Sequence, residues 1–235
     1  EGISELAQKY KAPVFTHSSE TKSEVEGCIE RYGKTPTELF EEIGLWNWGG
    51  GGYHSVWLSD NDLQIYKKRG LWAIINAGSN SKLASGICDV QKMSNMGINL
   101  AVGTDGPSSN NALDMFREMY LISVLQKLKY NDAAAMDANE ILKAATSGSA
   151  KCMGLTDCDC IAEGKLADLM IIDLERPNMQ PINNITKNLV YSGSKDDVKM
   201  TMINGKILYE NGEFVNIDKE EIYAKAQEIC NRLKN

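Results

Sequence analysis

Asn99-Leu-Ala-Val-Gly-Thr-Asp-Gly-Pro-Ser-Ser-Asn-Asn111 is the stretch on which the reading of this chain turns. Its apolar start predicts a buried strand over 98–103, and Thr104-Asp105-Gly106 ends that strand in a tight turn. A carboxylate is thereby set at the carboxyl end of a strand. In parallel α/β proteins the loops at that end converge on one face and carry the chemistry. Two further polar residues stand in the same situation. His17 closes Ala12-Pro-Val-Phe-Thr-His17, and His54 closes Gly49-Gly-Gly-Gly-Tyr-His54. These are the only 2 histidines in the chain, and both fall at strand ends.

Outward from these points the sequence alternates. An amphipathic helix over 3–10 precedes a strand over 13–17. Thr21-Lys-Ser-Glu24 reads as a capping box opening a helix that stops at Gly33, and Thr35-Pro-Thr-Glu38 repeats the device up to Gly44. After the glycines a strand over 52–57 leads to a helix from Asp60 to Arg69, capped by Ser59 and stopped at Gly70. Leu71-Trp-Ala-Ile-Ile75 is continuously apolar, as befits a strand covered on both faces. Helices are predicted over 87–96, 112–128 and 137–153, the last capped by Asp137 with Glu140 three residues on. Such a βα repeat implies parallel strands joined by right-handed crossovers. Beyond residue 155 the pattern changes. Leu166–Asp173, Val198–Ile203 and Lys206–Tyr209 read as strands, Asn204-Gly205 as a hairpin turn, and the last residues as an amphipathic helix.

Composition narrows the classes. The 235 residues are 43% hydrophobic and 24% charged, as in ordinary soluble globular proteins. A net charge of −7 argues against nucleic-acid and anionic-membrane partners, which need a basic face. No apolar run is long enough to span a bilayer. The 6 cysteines are scattered, which fits reduced thiols and a cytoplasmic setting. Cys152, Cys158 and Cys160 lack the paired spacing of structural zinc sites and are read as plain thiols. Asn184-Ile-Thr186 matches a glycosylation sequon, but no secretory leader is recognised, so it is read as incidental.

His17-Ser-Ser-Glu-Thr21, the histidine after the glycines, Gly78-Ser-Asn-Ser-Lys-Leu-Ala-Ser-Gly86, Gly103-Thr-Asp-Gly-Pro-Ser-Ser-Asn-Asn111 and Gly164-Lys-Leu-Ala-Asp-Leu169 share an order with one family. The chain resembles the amidohydrolase superfamily over its whole length. Within it, the chain looks most like the branch of methylthioadenosine/S-adenosylhomocysteine deaminases and chlorohydrolases. The resemblance implies an α/β fold: the C-terminal half of a (β/α)8 TIM-type barrel plus part of a small β-sandwich. Residues 1–155 would be strands five to eight, 156–217 the sandwich segment, and 218–235 a C-terminal helix. The family's first-strand His-x-His pair has no counterpart here, so the expectation is a piece of a longer protein, inactive when isolated.

By the same resemblance the complete enzyme holds a divalent metal, Zn2+ or a similar ion. His17 and Asp105 would be metal ligands. Asp105 would also take a proton from the attacking water, Glu20 would carry that proton to the substrate, and His54 would hydrogen-bond the hydroxide or the developing charge. On the residues alone other readings stand: His17 could merely end a strand, Glu20 could answer a helix dipole, and flexible glycines could set His54 anywhere. The implied reaction is hydrolytic deamination of a small adenosine-like, nucleoside-like compound. Triazine chlorohydrolysis and guanine deamination are alternatives, as is a non-catalytic fragment or scaffold subunit. Trp57 and Ile75-Asn-Ala77 replace the histidine and the His-Asn-Pro of many relatives, which predicts a less basic, more apolar pocket. Four parallel strands cut from a barrel would leave two open edges and uncover Val14, Ile74, Leu100 and Val102, so a homo-oligomer, a two-fold dimer in particular, is expected.

Overall fold

The computed structural model describes residues 2–234. Helix α1 (Gly2–Tyr10) leads into β1 (Val14–Ser18), followed by α2 (Lys22–Tyr32) and α3 (Pro36–Glu42). Then come β2 (Gly50–His54), α4 (Asp60–Arg69), β3 (Trp72–Ile75), α5 (Ala77–Lys82), α6 (Val90–Asn95) and β4 (Asn99–Val102). The four strands form one parallel sheet in sequential order, with β1 and β4 at its edges. Helices α7 (Pro107–Asn110), α8 (Met115–Tyr130) and α9 (Ala138–Lys143) follow. A π-helical stretch over Ala144–Gly148 joins α9 to α10 (Ser149–Cys152), so the expected helix over 137–153 is continuous. The edge of β4 is partly covered there, because the Val102 amide donates to Ser149 Oγ at 3.1 Å.

A second sheet is antiparallel: β5 (Leu169–Ile172), β6 (Val198–Ile203), β7 (Lys206–Glu210) and β8 (Glu213–Phe214), in that order. The predicted Asn204-Gly205 turn joins β6 to β7, with both residues at positive φ. Helix α11 (Ile185–Tyr191) lies between β5 and β6, and α12 (Lys219–Leu233) closes the chain. Sequence periodicity misses α5 and α11, which have only 6 and 7 residues, too few to display a helical period. Among the described residues no helix is long and apolar enough to cross a membrane.

Caps set the helix starts. Thr35 and Ser59 form complete capping boxes with Glu38 and Asp62. The box predicted at Thr21 is only half made. Thr21 Oγ1 accepts the Glu24 amide, but the Glu24 carboxylate reaches past the cap to the amides of Ser19 and Glu20, at 2.8 and 2.7 Å. That longer reach ties the end of β1 to its helix.

The second strand also departs from expectation. The predicted strand over 52–57 lies earlier, and the glycines themselves form it. A Cβ on Gly50 would overlap the Val14 carbonyl, one on Gly51 the Trp72 carbonyl, and one on Gly52 the Tyr66 hydroxyl. Backbones and a helix side chain press too closely for any larger residue. Residues after His54 turn immediately.

The core lies between the sheet and its helices. Trp46, Tyr66, Leu71, Ile75, Met93, Ile122 and Ile141 are buried in it. Val14, Leu100 and Val102 pack on this helical side, correcting the expectation that they face the barrel interior. Of the four residues named for that role, Ile74 lies on the opposite face, in register with Tyr53 and Ala101. That face also carries Phe15, His17 and Trp72, and with Trp48 and Met153 it borders an open trough of about 760 Å³.

Candidate active site

Each of the sequence-predicted site residues lies at the carboxyl end of a parallel strand or just beyond it: His17 in β1, Glu20 after it, His54 ending β2, Asp105 after β4. The structure brings them together. One ligand-type atom from each of His17, His54 and Asp105 lies within 4.8 Å of the other two. The two imidazoles stack, with centroids 5.3 Å apart and planes inclined by 26°. Parallel register makes this possible, because His17 pairs with Tyr53 and Ser18 with His54 on neighbouring strands. Glu20 Oε2 stands 3.8 Å from His54 Nε2.

Backbone strain collects at the same place. Ser19, His54, Ser55 and Asp105 have φ of 54°, 70°, 50° and 58°. Such conformations cost on the order of 1 kcal/mol or more each and persist where the surroundings over-determine them. Here those surroundings are visible. The Ser55 amide donates to Ser18 O at 3.2 Å, and the Val56 and Trp57 amides donate to Ser19 O at 3.0 and 2.9 Å.

Asp105, His54 and Glu20 each have a side-chain partner. Asp105 Oδ2 accepts from Ser79 Oγ and Ser109 Oγ, both at 2.6 Å. Burial by itself would raise the Asp105 carboxyl, but these two hydroxyls, the Gly106 amide and the nearby His54 outweigh it and hold the group below the usual carboxylate range. His54 Nδ1 faces Asn80 Oδ1 at 2.8 Å inside the protein. Ser85 Oγ donates to Glu20 Oε1 at 3.1 Å, and Trp57 Nε1 donates to Ser85 O at 2.6 Å.

Behind Asp105 sits a buried acid. Glu118 on α8 accepts the Gly78 amide at 2.8 Å and Asn110 Nδ2 at 2.7 Å. Asn110 also donates to Thr104 O at 2.7 Å, so one carboxylate fixes both the start of α5 and the turn carrying Asp105. Burial raises the Glu118 carboxyl, opposed by its two donors. Asn80, Ser79, Ser109, Ser85 and Glu118 were not read as site residues from sequence. Four of them fall within quoted motifs, but spacing alone does not say which carboxylate or imidazole a serine or asparagine will face.

The two departures in the pocket separate. Ile75 is 2% exposed and belongs to the core beneath the sheet, so it does not make the site more apolar, contrary to expectation. Trp57 is 41% exposed and borders the Glu20 side of the site. All six cysteines are free. Among the described residues the only group of three or more potential metal ligands is the His17, His54, Asp105 cluster. Imidazole and carboxylate are donor types suited to zinc, and His17 and Asp105 are the two that would hold it here.

Comparison with known proteins agrees. The sequence matches the amidohydrolase family over residues 1–208. It is 42% identical to a 5-methylthioadenosine/S-adenosylhomocysteine deaminase of Pyrococcus furiosus across 223 residues, 95% of this chain and 53% of that protein. A zinc-bound adenosine deaminase from Xanthomonas campestris aligns with a TM-score of 0.93 at 34% identity, over 98% of this chain and 53% of that one. An atrazine chlorohydrolase from Arthrobacter aurescens is 22% identical with a TM-score of 0.88, over 96% of this chain and 50% of its own, and shares the fold. The chain spans about half the length of the curated relatives it matches. On its sequence, its fold and the residues its strands converge, this chain belongs to the amidohydrolase family.

Proposed function

We propose that the protein hydrolytically deaminates a small adenosine-like compound, with a divalent metal, zinc, held in part by His17 and Asp105. The observation that carries this reading is the convergence of His17, His54 and Asp105 within 4.8 Å, beside the Glu20 carboxylate. Bound zinc lowers the pKa of water to about 7, which would supply a nucleophile at neutral pH. Two protein donors do not complete such a site, which takes three or more; the full-length protein supplies the rest in this reading.

The residues of this chain divide the remaining work. Asp105 keeps one oxygen on its two serines, leaving the other for the metal and for a proton from the attacking water. Its low pKa keeps it ionised and able to serve as a ligand. Glu20 carries that proton to the ring nitrogen, where the product keeps it, and then a second proton, from the hydroxyl added to the ring carbon, to the amine that leaves as ammonia. His54 directs Nε2 toward the reacting oxygen, because Nδ1 is committed to Asn80. The adenosine-like substrate is favoured by the names of the 34% and 42% identical relatives, whereas the chlorohydrolase likeness carries only the fold.

Residues 1–155 are the catalytic segment in this reading, 156–217 a β-sandwich segment and 218–235 a terminal helix. Six free thiols support a reducing, cytoplasmic setting, and the open sheet face supports a homo-oligomer when this stretch stands alone.

The test is made on the full-length protein with adenosine and 5-methylthioadenosine. His17→Ala and Asp105→Asn should lose zinc and ammonia release together. Glu20→Gln should retain zinc and lose turnover by roughly a hundredfold or more. Zinc loss in the Glu20 variant, or unchanged turnover in the Asp105 variant, overturns these roles.

A further inference from the structure

We infer that Ser85 is a positioning residue for Glu20, and that Trp57 holds Ser85 in place. This rests on the proton-carrying role of Glu20 proposed above. The geometry is a short chain of contacts: Trp57 Nε1 to Ser85 O at 2.6 Å, then Ser85 Oγ to Glu20 Oε1 at 3.1 Å. The hydroxyl occupies one carboxylate oxygen. The other is left 3.8 Å from His54 Nε2, on the side of the ligand cluster.

The Glu20 backbone is fixed independently. Its amide donates to Glu24 Oε2 at 2.7 Å, and the preceding Ser19 carbonyl accepts the amides of Val56 and Trp57. What remains free is side-chain rotation. A glutamate side chain has several rotatable bonds, and a carrier that must alternate between two substrate atoms gains from a restricted arc. Ser85 supplies the restriction.

Ser85 is itself well placed for this. It is 6% exposed, and its amide donates to Asn80 O at 2.9 Å, so the residue that orients His54 and the residue that orients Glu20 share one turn. Trp57 presses on the same loop. A Cβ on Gly86 would lie 2.9 Å from Val56 Cγ1 and 3.1 Å from Trp57 Cζ2, so the chain can lie flat against the indole only with glycine there. Cys88 Sγ adds a third tie, donating to Ser55 O at 3.2 Å. Loop 83–88 is thereby fastened onto the turn after β2 at three points. The exposed indole at position 57 is accounted for as a fastening, in addition to any contact with substrate.

The experiment uses the full-length protein, with adenosine as substrate and two independent readouts. In steady-state kinetics Ser85→Ala should lower kcat roughly tenfold or more, with KM and zinc content unchanged. Ser85→Thr, which keeps the hydroxyl, should recover most of the loss. Trp57→Phe should shift kcat in the same direction by less. In the Glu20→Gln background Ser85→Ala should lower the residual rate little further, since the residue it positions is gone. The second readout needs no turnover. Urea midpoints of Glu20→Ala, Ser85→Ala and the double variant should be non-additive, with the double shift smaller than the sum. Additive midpoints, or an equal fall in kcat with and without Glu20, overturn the inference. Coupled midpoints in a protein that releases no ammonia would instead sustain the contact and overturn the deaminase reading.

Discussion

Asn80 Oδ1 sits 2.8 Å from His54 Nδ1, with both side chains almost wholly buried. An amide oxygen can only accept, so Nδ1 carries a proton and Nε2 is the nitrogen left facing the site. Asn80→Ala should release the ring and leave a buried N–H unpaired, costing about 1–3 kcal/mol in unfolding free energy. Nitrogen-15 NMR of the histidines should report the Nδ1–H tautomer for His54 in the parent and a mixture in the variant. An Nε2–H tautomer in the parent would contradict the assignment.

Glu118 gives a pH-dependent stability with a definite sign. Its carboxyl is raised in the folded state by burial, above an unfolded value near 4.3. A raised folded pKa contributes stability that is fully present below the unfolded pKa and lost as pH rises through the folded pKa. Glu118→Gln cannot titrate. The stability advantage of the parent over this variant should therefore be largest near pH 4 and shrink toward neutrality in urea titrations. An advantage that grows over that range would mean that the Gly78 and Asn110 donors dominate burial.

Thiol labelling should sort the cysteines by environment. Burial pushes the Cys88 thiol up to about 12 and Cys152 up to about 11, whereas Cys160 and Cys230 are exposed. At pH 8 a maleimide should modify Cys160 and Cys230 within minutes and reach Cys88 only after denaturation. Mass spectrometry of the labelled peptides reads this directly. Rapid modification of Cys88 would show that the turn after β2 opens readily.

The 235-residue chain on its own should self-associate. β1 and β4 are the edge strands of the parallel sheet, β4 only partly covered by Ser149, and the far face carries Phe15, Tyr53, Trp72 and Ile74 around the trough. Light scattering should give a mass above that of one chain, rising with concentration. A clean monomer at high concentration would mean that these surfaces are tolerated in water.

The alternation of strand and helix was legible because strands such as Leu71–Ile75 are apolar throughout and helices announce themselves with Ser, Thr and Asp caps. Three of the site's four residues were legible as polar interruptions at strand ends. Less visible was β2, whose glycines suggest a loop to any reading based on propensity. Its strand character comes from neighbours that leave no room for side chains, which is tertiary information. Glu24 shows the same limit: the local pattern finds the cap, but the reach of its carboxylate to Ser19 and Glu20 depends on how β1 ends. Glu118 was illegible for a related reason. Its partners, Gly78 and Asn110, lie 40 and 8 residues away, and as the one acid of the helix Met115–Tyr130, in its first turn, it reads simply as an answer to the helix dipole.

The three glycines of β2 make the spacing of the site depend on the absence of a methyl group. Nothing but hydrogen separates this strand from the Val14 and Trp72 carbonyls and the Tyr66 hydroxyl. His17 rides on one neighbouring strand and His54 on the glycine strand itself. An alanine at Gly50 would act as a wedge between them, spreading two imidazoles that now stack at 5.3 Å. A substitution that touches neither histidine, adds no charge and removes no hydrogen-bonding group could thus silence the metal site, and a search confined to ligating or ionisable residues would pass over it.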